Sequence, residues 1–213
     1  LSAVWTTAPA FDWRDEQALE AWGRYVLSLP LAPDSVILAD SEKIAPLEYL
    51  HRIEGLRPDV AMIVAGTEQE YFDLLYAHLG AGQTVYLARF LPGLEGPFFL
   101  RSMGPLIEVG TQPLFEAPLR QGEPQIWANG ISLLGCQADG LPAVAGGEAH
   151  LTLFWQAPAA VERNYQVRLR LTDRAGQTAW QAVPAYPVSN RYPTAAWKPD
   201  EIIPDYHALA LPY

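Results

Sequence analysis

The sequence predicts an α/β unit followed by an all-β unit, and three observations lead there. Short apolar runs at residues 35–39, 59–65 and 84–88 alternate with segments of helical period, the pattern of a parallel sheet with crossover helices. After Arg89 the chain turns rich in Pro and Gly and loses that period. From Ile126 onward, short runs of period two are separated by turn residues and no helical segment intervenes, as in an antiparallel sandwich. The expected organisation is therefore a parallel-sheet domain at 1–112, a linker at 113–125 and an antiparallel β-sandwich at 126–213.

The first helix is expected over Asp15 to Leu29, with Leu19, Trp22, Val26 and Leu29 inward and acids in the first turn, where the helix dipole favours them. Pro30 and Pro33 end it, and "SVILA" follows as a buried strand. Asp40 or Ser41 then caps a helix with Leu47, Leu50 and Ile53 inward, closed by Gly55. "DVAMIVA" supplies a second strand. Thr67 to Glu70 reads as a capping box opening a helix with Phe72, Leu75, Tyr76 and Leu79 inward, and "TVYLA" is the third strand. Strand, helix, strand, helix, strand at this spacing implies right-handed crossovers in a three-layer, Rossmann-like arrangement. The Pro/Gly-rich stretch contributes one edge strand, "PLIEVG".

In the β half the expected strands are "ISLLGCQA", "AHLTLFWQA", "YQVRLRLTD", "QTAWQAVP" and "YHALALP". Asp173 to Gly176 forms a hairpin turn. Leu134, Leu153, Trp155, Val167, Leu169 and Leu171 should face inward, with Arg168 and Arg170 toward water, in an Ig-like or jelly-roll-like sandwich. Cys136 reads as a small buried hydrophobe.

Composition excludes several functions. The net charge of −10 and the presence of only two lysines, Lys43 and Lys198, leave no basic surface of the kind that tracks phosphates, so nucleic acid is not an expected partner. One cysteine permits neither an internal disulfide nor a cysteine-based zinc site. The four histidines are scattered, so no metal site and no cofactor are expected. Neither a glycine-rich phosphate loop nor a G-x-S-x-G elbow occurs. No run of about 18 apolar residues is present.

The β half carries a Leu133-Leu134-Gly135 strand, Trp155 in "LTLFW", Tyr165, an Asp173-x-x-Gly176 hairpin, and "RYPTAAWKPDEIIPDYHALALP" with Tyr192, Pro193, Trp197, Asp205 and Tyr206. This pattern resembles a module at the extracytoplasmic C-terminal ends of bacterial polytopic membrane proteins. The stretch "LAPDSVILADSEKIAPLEYLHRIEGLRPDVAMIV" is similar to the segment that follows the transmembrane helices in uncharacterised membrane proteins related to protein O-mannosyltransferases, of the GT-C superfamily. Asp200 stands where the pattern usually carries Gly after Pro199. The resemblance implies a region of a membrane glycosyltransferase-like protein that lies outside the cytoplasm. Its implied partners are the membrane-embedded helices of the parent chain and a glycan or lipid-linked sugar. Catalytic acids of that superfamily lie in a loop this stretch does not match, so no catalytic residue is implied here.

Two groups of side chains are candidates for ligand contact. Asp40, Glu42 and Lys43 follow the first strand, Glu68 the second and Arg89 the third, which would gather mixed charge at the carboxyl edge of a parallel sheet. The competing reading makes Asp40 or Ser41 a helix cap and leaves Glu42 and Lys43 in solvent. In the β half, Tyr192, Trp197 and Tyr206 could stack on a sugar ring while Asp200 or Asp205 accepts hydroxyl hydrogen bonds. Alternatively, and preferred on sequence grounds, Trp197 folds back as a plug. The function expected is an accessory, non-catalytic region that positions an acceptor or stabilises the enzyme; the alternative is an independent carbohydrate- or small-molecule-binding protein.

Overall fold

A computed structural model describes residues 13–89, 91–117, 124–139 and 146–211. The first helix, α1 (Trp13–Ser28), leads through Pro30 and Pro33 into β1 (Val36–Ala39), which is buried on both faces. α2 (Ser41–Arg52), β2 (Ala61–Val64), α3 (Glu68–Gly80) and β3 (Val85–Leu87) follow in the expected order. β1 pairs in parallel with β2 on one side and β3 on the other.

Alternate residues of β1 serve different faces. Ile37 and Ala39 pack with Leu47 and Leu50 of α2 and Val26 of α1, whereas Val36 and Leu38 pack with Tyr71 and Leu75 of α3. Helices therefore cover both faces of β1. Fully burying Ile37 or Leu38 contributes about 1.5–3 kcal/mol each.

The sheet is mixed, in the order β2-β1-β3-β5-β4. β4 (Phe99–Met103) and β5 (Leu106–Gly110) form a hairpin that adds antiparallel to β3 through β5. The "PLIEVG" strand is thus interior, and β4 is the edge. The sequence missed β4 because its Phe-Leu-Arg-Ser-Met run follows a Pro/Gly segment and alternates only once it is paired. Gly104 turns this hairpin with φ +55, and a Cβ there would lie 2.7 Å from Cδ1 of Leu29, just past α1, and 3.4 Å from Cε1 of Tyr25 within it, so the end of α1 packs closely on the turn.

Three inward assignments change. Leu19 is 42% exposed and Ile53, the residue capping the end of α2, is 71% exposed. Tyr76 is exposed, and Tyr71 takes the inward place. Thr67 caps α3 as expected, and the fully buried stripe of the helix starts one residue earlier than Phe72, at Tyr71 and Leu75.

β6 (Gln125–Ile126), β7 (Ser132–Asp139), β8 (Glu148–Gln156) and β11 (Ile202–Ala210) make a four-stranded antiparallel sheet, ordered β11-β8-β7-β6. β9 (Arg170–Thr172) and β10 (Thr178–Gln181) form a separate two-stranded ribbon. A register shift between Leu133 and Gly135 sets Leu133 opposite Trp155, so Leu133 rather than Leu134 packs on the core. Leu153 and Trp155 are buried, while Val167, Leu169 and Leu171 are only half-buried. Arg168 and Arg170 face water. Cys136 is exposed, because the outer part of β7 lies on an open face. The larger buried cluster draws on both halves, from Val36, Leu87 and Val109 to Leu153, Trp155 and Ile203.

Candidate functional site

At the carboxyl end of β1, Asp40 is the N-cap of α2, its Oδ1 accepting from Lys43 N at 3.1 Å. Ser41 and Glu42 are exposed. Lys43 is half-buried instead of free: its Nζ donates to the Ala88 carbonyl at 2.5 Å and lies 5.8 Å from the Trp22 ring centroid. The aliphatic stem of lysine lets it cross to the end of β3 while its head stays at the edge. Thr67 Oγ1 accepts from Glu70 N, and Glu70 in turn accepts from Gly66 N, leaving Glu68 exposed at the start of α3.

Arg89 lies 5.3 Å over the Tyr71 ring. Burial, reinforced by the Asp40 charge, pushes the Tyr71 phenol up to about 12, so it stays protonated at neutral pH. Its hydroxyl has no hydrogen-bond partner among the described residues. The edge thus gathers Asp40, Lys43, Arg89 and Tyr71, while Glu42 and Glu68 point away to solvent.

The second group is interior. Trp197 is 4% exposed, its Nε1 donating to the Tyr192 carbonyl at 3.3 Å. Tyr192 is buried, and its hydroxyl donates to the Glu201 carboxylate at 3.1 Å; burial and that negative charge hold the phenol far above its ordinary range. Asp205 is fully buried and committed: it accepts from Trp155 Nε1 at 3.1 Å and Val188 N at 2.8 Å, and pairs with His207 Nε2 at 2.8 Å. Neither oxygen of Asp205 is left for a ligand. Tyr206 bonds His150, whose ring stacks on Tyr25 of α1 at 4.0 Å.

Behind these groups lies a cavity of about 450 Å³ between the β7–β8 face and the segment 165–169. Trp127, Trp155, Tyr165 and Trp197 wall it, and Gln125, Asn129 and Gln166 border it. Trp127 and Tyr165 are each 38% exposed, so both offer ring surface to solvent. Trp127 leans on Trp155 with centroids 5.7 Å apart at 48°. A tight turn positions it: Gly130, at φ +82, donates to the Trp127 carbonyl, Trp127 N donates to Ile131 O, and Asn129 Oδ1 accepts from Ile131 N. Period and composition do not single out Trp127. Its signal was "WANGI", in which an Asn-Gly hairpin turn sets a tryptophan across from an apolar residue.

Among the described residues no three His, Cys, Asp or Glu side chains gather where they could hold a metal ion, and no helix is long and apolar enough to cross a membrane. No protein-family model, curated protein or solved structure matches the chain.

Proposed function

We propose that the chain is a non-catalytic, extracytoplasmic accessory region of a membrane glycosyltransferase-like protein, and that it holds a glycan in the aromatic cavity of its β half. One observation carries the binding part: two partly exposed rings, Trp127 and Tyr165, flank a cavity of about 450 Å³ bordered by carboxamides. A pyranose presents an apolar C–H face that suits such rings and equatorial hydroxyls that suit Gln125 and Gln166. In this reading the α/β half is a Rossmann-like mount and the β half a sandwich open at one end. The carboxyl edge of the sheet supports a structural role, since Asp40 caps α2 and Lys43 ties α2 to β3. The parent enzyme, its membrane helices and a lipid-linked sugar enter through the resemblance of residues 31–64 and 133–212.

The cavity by itself needs no parent enzyme, which favours a second reading as a free carbohydrate-binding protein. The gene's upstream sequence separates the two: a run of membrane-spanning helices fits the first, a signal peptide alone the second. The main reading is tested by presenting the purified chain with a glycan array, sugar nucleotides and polyprenyl-phosphate sugars, with products followed by mass spectrometry. Saturable binding of a glycan class without transfer product is expected. Product formation that disappears in Asp40→Ala, or binding to no glycan, would overturn it.

A further inference from the structure

The charges of the chain are unevenly placed. Between Arg163 and Arg191 stand five arginines and a single acid, Asp173, in a chain of net charge −10. Elsewhere Arg24, Arg52, Arg57 and Arg101 each pair with a carboxylate. By contrast Arg163, Arg168, Arg170 and Arg174 are all exposed, and none is in an ion pair with a described residue. Arg168 also lies in the wall of the aromatic cavity, between Val167 and Leu169. Arg170, the first residue of β9, stands two residues on and is exposed as well.

We infer that the glycan held in this cavity is acidic, a sugar bearing a carboxylate such as a uronic acid; the inference rests on the glycan reading above. The rings of Trp127 and Tyr165 take the apolar face, Gln125 and Gln166 the hydroxyls, and the unpaired guanidiniums beside the mouth take the carboxylate. A guanidinium offers two parallel N–H donors that match a carboxylate, and so selects it over a hydroxyl. The acidic remainder of the protein disfavours other placements of such a ligand, which steers it to this rim.

The test compares a galacturonic acid trisaccharide with the neutral galactose trisaccharide of the same linkage, by calorimetric titration. The acidic sugar should bind about tenfold tighter at low salt, and raising the salt should shrink that preference as exposed charges are screened. The double variant Arg168→Gln, Arg170→Gln should bring the two sugars close to parity. Trp127→Ala should weaken both. Neutral sugar bound as tightly as acidic, or failure of both sugars to bind while the array yields a neutral glycan, would sink the inference and leave the glycan reading standing, whereas failure of both sugars together with an array on which no glycan binds would sink the two together. A preference for acid that the double variant leaves unchanged would also overturn the assignment to this rim.

Discussion

Asp200 holds φ +63, a left-handed conformation that costs most L residues about 1–2 kcal/mol and aspartate somewhat less. Glycine meets no such penalty, and that is the residue the resembling pattern usually carries there. Asp200→Gly should therefore raise stability by about 0.5–1 kcal/mol in urea denaturation, and an unchanged or lower midpoint would contradict the reading of this turn. Glu201 makes a second residue-level case. It is fully buried, and burial holds its carboxyl above the ordinary value of 4.5 despite hydrogen bonds from Lys198 N and Tyr192. Such a group binds its proton more tightly when folded, so its contribution to stability falls as pH rises from about 4.5 through the folded value. Glu54 and Asp59, lowered by Arg24 and Arg57, act in the opposite sense, which makes the comparison with a variant necessary. Glu201→Gln should gain on the wild type as pH rises from 4.5 to neutrality. A difference between the two proteins that is constant with pH would show that Glu201 is not the group responsible. Sequence inspection had no access to Glu201, since a charged residue beside Asp200 in a Pro-rich loop reads as surface until Tyr192 and Lys198 close around it.

Among the elements, α2 depends on Asp40. Asp40→Ala removes the acceptor of Lys43 N and should cost about 0.5–2 kcal/mol, with glycan binding unaffected. Asp40→Asn, which keeps the acceptor, should recover most of the loss; equal destabilisation by both changes would point to the charge beside Tyr71 instead. The three parallel strands and the helices between them were legible because local signals agree there: apolar runs, caps and glycine stops all mark the same boundaries. Tertiary pairing defeated the reading at two places. β5 became interior only because β4, hidden in a Pro/Gly-rich stretch, adds outside it. In β7 the register shift at Leu133 and Gly135 exchanged which leucine faces inward, and periodicity alone cannot reveal a bulge.

For the molecule as a whole, the β half carries the open aromatic surface and the unpaired arginines, while the α/β half has its arginines mostly in ion pairs and its strand-end groups in structural bonds. The buried cluster shared by the two halves gives the cavity a firm back wall, in which Trp155 and Trp197 have their indole N–H groups satisfied. Of the site, the sequence yielded Trp197 as a plug and the charged strand ends but not Trp127, which meets Trp155 of β8 only once β6, β7 and β8 are paired. The two tryptophans should consequently behave differently. Trp197→Ala empties a core position and should cost about 3–5 kcal/mol, observed as a large drop in the denaturation midpoint. The most direct test of the account is glycan titration of Trp127→Ala, with its thermal unfolding recorded alongside. Glycan affinity should fall about tenfold or more while the unfolding temperature barely changes, as expected for a partly exposed stacking platform. Full affinity in the Trp127→Ala protein would contradict it.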